Sequence, residues 1–192
     1  HNIIYFIHFL YFSLKPLSAN NFTSFFNLSF FIRTFATRLF SIINKLINYS
    51  IKENMKIGII TAMSSEQKQL ANQLTNKTER SEGPFNYIEG NIKKNSVVLM
   101  QCGIGKVNAA AGTVELIRNF NPDCIISTGV AGGIDKCLKI MDVVVSSNIV
   151  YHDVWCGEGN AYGQIQGMPT FFEGNKTLLD TAISIDTDTA IH

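Results

Sequence analysis

The first 54 residues contain neither methionine nor glycine. They hold one acidic residue, Glu53, against five basic ones, yet ten of the chain's fourteen phenylalanines. Their apolar run at 3–14 is too short to span a bilayer. The four cysteines, Cys102, Cys124, Cys137 and Cys156, form no CxxC pair, and the histidines add no metal-ligand spacing. No metal is therefore expected, and the thiols read as the reduced cysteines of a cytosolic protein rather than a disulfide framework. No strong excess of positive charge exists: residues 55–192 carry eleven basic and fourteen acidic side chains. A domain with a net charge of −3 offers no electrostatic reason to expect nucleic acid as a partner.

What is there is globular. Of 192 residues, 46% are hydrophobic and 16% charged, enough for one domain with a real core. Met55 divides the chain. Residues 1–54 are read as a non-domain segment, of a composition typical of translated AT-rich DNA. Read-through of sequence upstream of a start at Met55 is the preferred account. A targeting segment is the first rival, because the stretch is poor in acids, has Arg33 and Arg38, and is rich in serine. The second is an interfacial helix, because Leu39, Ile42, Ile43, Leu46 and Ile47 would share one face.

From Met55 on, strand and helix signals alternate. The apolar run Lys56–Ile60 leads through Thr61-Ala62-Met63 to Ser64-Ser65, a place to cap a helix. That helix should bury Gln67, Leu70, Ala71 and Leu74 and end near Asn76. Glu82-Gly83-Pro84 is a turn. Strands are expected at 85–92, 96–101, 123–127 and 142–146, with helices after Lys106 and over 176–184. The first of these helices should present Val107, Ala110, Ala111, Val114 and Ile117 on one face and stop at Asn121-Pro122. Residues 151–169 read as a long Gly-rich loop. Strands that alternate with helices and are continuously apolar indicate an α/β sandwich.

Three strand ends carry unusual residues: TAMSSE, QCGIGK and STGVAGG. In open α/β sheets, ligands bind outside the carboxyl ends of strands. Glycine lets the backbone approach them closely. Gly103-Ile104-Gly105 opens like a dinucleotide fingerprint, but Asn108 stands where its third glycine belongs. A phosphate-binding P-loop fails as well, since Lys106 is followed by Val107. Glu66, just past the first strand end, is the leading candidate for chemistry.

MKIGIITAMS with Glu66, CGIGKVNAA at 102–110, PDCIISTGVAGG at 122–133, DVVVS at 142–146, YHD at 151–153 and YGQ at 162–164 occur in this order. Together they resemble the purine nucleoside phosphorylase and nucleosidase superfamily, and within it the 5'-methylthioadenosine/S-adenosylhomocysteine nucleosidases. The resemblance implies a three-layer α/β/α fold around a central mixed sheet, incomplete at its carboxyl end. It implies hydrolysis of the bond between adenine and a 5'-thio-substituted ribose, without a cofactor, in a cytoplasmic homodimer with no nucleic-acid or membrane partner. It assigns Glu66 as the carboxylate that activates water. It places Ala62, Met63, Ile104, Val130, Ala131 and Gly132 along the nucleoside, and Trp155 in a neighbouring subunit's 5'-thio pocket. Many relatives have serine where Val130 stands, so any hydroxyl contact there is lost.

The family's ribose-gripping glutamate lies in a Met-Glu pair and its N7 acid in a Ser-Asp pair, and neither dipeptide occurs here. The 192-residue chain is accordingly expected to be inactive and prone to aggregate. Two rivals stay open. A nucleoside phosphorylase would need cations to clamp phosphate. After Met55 the only arginines are Arg80 and Arg118, neither at a strand end, which leaves Lys106 as the one cation near such a loop. A non-catalytic nucleoside-binding module would not need Glu66.

Overall fold

A computed structural model describes residues 6–11, 42–45, 47, 54–132, 135–139, 142–185 and 191. Its centre is a seven-stranded mixed sheet. The strands are β1 (Phe6–Tyr11), β2 (Lys56–Thr61), β3 (Thr75–Glu82), β4 (Phe85–Ile92), β5 (Asn95–Gln101), β6 (Cys124–Thr128) and β7 (Val143–Val145). Their spatial order is β3-β4-β5-β2-β6-β1-β7. β5, β2, β6 and β1 run parallel, and β3, β4 and β7 pair antiparallel with their neighbours. A small antiparallel pair, β8 (Asn148–Ile149) with β9 (Phe172–Glu173), closes the base of the long loop. The helices are α1 (Ser64–Ala71), α2 (Lys106–Phe120) and α3 (Lys176–Ser184).

Side chains alternate across a strand, and here the alternation feeds two cores. Ile57 and Ile59 of β2 and Val97 and Leu99 of β5 join Leu70, Ala71, Leu178 and Ala182 on one face. Ile60, Val98 and Met100 join Leu116 and Phe120 on the other. Helices α1 and α3 thus cover one face and α2 the other, which is the expected three-layer sandwich. Buried Gln67 donates from Nε2 to the Asn86 and Leu99 carbonyls, at 2.8 and 3.3 Å, so α1 is pinned to the sheet by a satisfied polar group.

Strand β4, the turn at Gly83 and helix α3 fall where the sequence predicts them. Strand β3 replaces the expected end of the first helix, which stops at Ala71. All eight β3 residues are exposed, so no apolar alternation announced the strand. The face of α2 also differs from expectation. Val107 is 82% and Val114 46% exposed, whereas Gly112, Leu116 and Phe120 are buried. The reason is close packing. A Cβ on Gly112 would lie 2.6 Å from the Cys102 Cβ, and one on Gly58 2.7 Å from the Leu116 Cδ2. Glycine on each element lets helix and sheet approach, and Leu116 fills the space over Gly58.

Residues 1–54 stand apart by composition, but pieces of them join the fold. β1 lies between β6 and β7, and residues 42–45 and 47 are helical. Ile42, Ile43 and Ile47 are buried in the same cluster as Ile57 and Leu99. Leu39, Leu46, Arg33 and Arg38 lie outside the described residues, as do the ends of the 3–14 run. Among the described residues, no helix is long and apolar enough to cross a membrane.

Leu116→Ala should destabilise the chain by about 2–5 kcal/mol, because it empties the space over Gly58. Val107→Ala should stay within about 0.5 kcal/mol, because that side chain touches little. Urea unfolding of the two variants beside the parent checks the pair, and equal losses would refute this orientation of α2.

Candidate active site

Sheet order makes β5, β2 and β6 neighbours, so the three unusual strand ends open side by side. The junction of β2 and β5 is tight: the Cys102 N–H donates to the Thr61 carbonyl at 2.9 Å, and the Cys102 thiol to the same oxygen at 3.3 Å. From Thr61 the chain turns through Ala62 into α1. Met63, extended at φ −119° and ψ 148°, is the N-cap. The expected serine cap is not formed, since Ser64 and Ser65 are already helical and exposed.

The cap comes from Glu66 instead. Its Oε2 accepts the backbone N–H groups of Met63 at 2.9 Å and Ala62 at 3.1 Å. Its Oε1 accepts the N–H of Val130 at 3.1 Å, from the loop after β6. A carboxylate near a helix N-terminus is favourably placed. Here it also bridges two strand ends. Gly129 makes room, since a Cβ there would sit 3.1 Å from Oε1. A carboxylate has roughly four acceptor sites, and backbone donors take three. The remaining capacity is what could hold a water molecule and take its proton.

Glu66, Ala62, Met63 and Val130 are therefore brought together directly. Ile104 lies on the adjoining turn after β5, 74% exposed. The Asn108 side chain donates from Nδ2 to the Ile104 carbonyl at 2.8 Å and fills the space beside Gly103. The residue that breaks the dinucleotide fingerprint thus closes this turn. Ala131 is half-buried and Gly132 exposed next to Val130. Gly133 lies outside the described residues. Trp155, 60% exposed, stands on the long loop rather than against Glu66.

Two contributors escaped the sequence. Gly129 looked like one glycine among several in a turn, and only the carboxylate beside it explains it. Asp153 lay inside the YHD motif with no partner in view. The Lys106 Nζ reaches both of its carboxylate oxygens at 2.5 Å. That hydrogen bond holds the Asp153 carboxyl below its usual range. Burial pushes the Cys102 thiol up, and the Glu66 carboxylate adds to the rise. Burial and the neighbouring Asp123 push the Cys124 thiol up to about 12. Among the described residues, no group of His, Cys, Asp and Glu is arranged to hold a metal ion.

A family model described as the phosphorylase superfamily matches residues 56–191. The chain is 44% identical over 126 residues to the 5'-methylthioadenosine/S-adenosylhomocysteine nucleosidase of Exiguobacterium sp., a match covering 65% of this chain and 54% of that protein. The Neisseria meningitidis nucleosidase of the same name, solved in complex with methylthio-immucillin-A, aligns with a TM-score of 0.68 at 36% identity. That alignment covers 71% of this chain and 61% of that one. The Colwellia psychrerythraea nucleosidase, solved in complex with adenine, aligns at 0.62 and 39%, covering 65% and 52%. The chain spans a little over half the length of the relatives it matches.

Thiol accessibility gives a direct check of the site's packing. Cys137 and Cys156 are exposed, whereas Cys102 and Cys124 are buried. A thiolate is the reacting species, and both buried thiols have raised pKa values. An aromatic disulfide reagent at pH 8 should therefore titrate two thiols in the native chain and all four in denaturant. Rapid reaction of Cys102 in the native chain, located by mass spectrometry, would contradict the closed β2–β5 junction.

Proposed function

The chain belongs to the phosphorylase superfamily, and on that premise we propose that it carries the water-activating part of a nucleosidase acting on 5'-methylthioadenosine and S-adenosylhomocysteine. The observation that carries the proposal is the Glu66 carboxylate, held by backbone N–H groups from two adjacent strand ends. A base must be fixed within reach of the proton it removes. Three backbone donors fix this one.

In the proposed reaction Glu66 takes a proton from water as the water oxygen bonds to the anomeric carbon of the ribose. The bond from that carbon to N9 breaks, its electron pair leaves with adenine, and a proton delivered to adenine N7 neutralises the leaving group. The N7 acid and the carboxylate gripping the ribose hydroxyls are assigned to family motifs that this sequence does not contain. Ala62, Met63, Ile104, Val130, Ala131 and Gly132 line the nucleoside in this reading, with an apolar contact at Val130. The products feed nucleoside catabolism and methionine salvage. The reaction as proposed needs water and the protein's own groups, with no cofactor. The family-matched catalytic domain is taken to begin at residue 55, with β1, Ile42, Ile43 and Ile47 packed onto it from the preceding segment.

Water is favoured over phosphate by the state of the cations. Lys106, near the strand ends, is paired with Asp153. Arg80 pairs with Glu82 and Arg118 with Glu115. A phosphate clamp would need such groups directed at the ligand.

A homodimer is part of the proposal. Ile104, Val107 and Val114 expose apolar surface beside the crevice, and Trp155, Tyr162 and Phe171 do so along the loop. Clustered exposed apolar groups mark interaction sites, and a second copy would bring Trp155 to its neighbour's 5'-thio pocket. Free thiols suit a reducing, cytoplasmic setting.

Two measurements test the reading, both in a chain extended at its carboxyl end with a relative's remaining sequence. Adenine should be released from 5'-methylthioadenosine without added phosphate. Release that depends on phosphate and yields 5-methylthioribose 1-phosphate would transfer the assignment to a phosphorylase. Glu66→Gln should lower kcat by at least about 10²-fold, since general-base catalysis contributes about 10²–10⁴-fold, with a much smaller change in substrate affinity. A loss of tenfold or less would leave Glu66 with only its capping role.

A further inference from the structure

Lys106 is the first residue of α2, directly after the Cys102–Gly105 turn that borders the crevice. Its ammonium holds both oxygens of Asp153, 47 residues further along the chain. It also lies 5.7 Å from the centroid of the Tyr151 ring, the distance of a cation–π contact. Tyr151 in turn meets Phe172 edge-on at 6.2 Å. One cation therefore touches the loop at two points just past β8, and an aromatic pair links that limb to Phe172 of β9.

The loop is itself a folded unit. The Gly163 N–H donates to the Val154 carbonyl at 2.9 Å, and the Tyr162 hydroxyl to the His152 carbonyl at 2.8 Å. Gly163 has φ +88°, and a Cβ there would lie 2.5 Å from the Val150 Cγ2 and 2.6 Å from the Tyr151 carbonyl oxygen. The segment from Val150 to Phe172 is thus self-supported, and what it needs is fastening to the body. An exposed ion pair adds little to global stability. It can still decide which of several positions an already folded loop occupies.

We propose that Lys106 is a positioning residue, which through Asp153 and Tyr151 straps the 150–172 loop beside the crevice and so sets where Trp155 stands. The inference rests on the proposed function only in giving Trp155 a substrate to face. The strap itself is independent of the reaction.

Trp155 is the chain's one tryptophan and lies two residues from Asp153, so its fluorescence reports on this loop alone. Time-resolved anisotropy and acrylamide quenching are measured on the full chain without substrate. Lys106→Met and Asp153→Asn should each raise the amplitude of the fast anisotropy component at least about twofold and make Trp155 more quenchable. The double variant should go no further than either single change, because both remove one interaction. Lys106→Arg, which keeps a bidentate cation, should restore the parent signal. Adding 1 M salt, where screening reaches about 3 Å, should loosen the parent toward the variants and leave the variants unmoved. The salt arm needs no mutation, so a variant that misfolds leaves the test intact. Parent-like anisotropy in Lys106→Met, additive effects in the double variant, or a salt-insensitive parent would each overturn the strap. Absence of nucleosidase activity would alter none of these signals.

Discussion

Three backbone N–H groups converge on the carboxylate of Glu66, two from the turn after β2 and one from the loop after β6. That convergence is the constraint on which the crevice depends. It starts α1, because Met63 offers no side-chain hydrogen bond of its own. It sets the distance between two strand ends. It also explains a glycine at 129, where a side chain would crowd the carboxylate. Replacing Glu66 therefore disturbs a helix cap and a loop contact together with the proposed base. A change in rate alone would not separate these roles, whereas rate and affinity taken together do.

The layered fold could be read from residues because its signals are local. Phe85–Ile92 buries apolar side chains on both faces, Phe85 and Tyr87 in one cluster and Ile88 and Ile92 in the other. Asn175 accepts the Leu178 N–H at 2.9 Å and so marks the start of α3. The misread parts follow equally definite causes. Thr75–Glu82 has no apolar side to reveal a strand, since pairing with β4 is what makes it one. In α2 the apolar spacing was real, but of its members only Ile117 packs on the core while Val107, Ala110, Ala111 and Val114 are exposed, because the helix sits close to the sheet at Gly112. Helical spacing reveals a stripe but not what covers it.

Site residues divide the same way. Glu66 and the three unusual strand ends, two of them bearing glycine, stood out as motifs, and the sheet order makes those ends neighbours. Asp153 and Gly129 did not stand out. Their significance is a distance to a residue 47 or 63 positions away, and nothing within a window of sequence encodes it. Lys106 shows the difference most clearly. As a letter beside a Gly-rich turn it was the one cation near a strand-end loop, with no partner in view. As a side chain it is occupied by a carboxylate and lies near an aromatic ring.

Strand β3 has a consequence of its own. It forms one margin of the sheet and keeps all eight side chains in solvent, charged ones among them. Charge on an edge discourages another chain from pairing there. Arg80 lies over the Phe120 ring at 4.8 Å and the Tyr87 ring at 5.7 Å, but most of the strand's contribution to the fold lies in its main chain. The margin is thus the part of the sheet freest to drift, and the natural place to graft an epitope, a dye attachment or a surface tether without reaching the crevice.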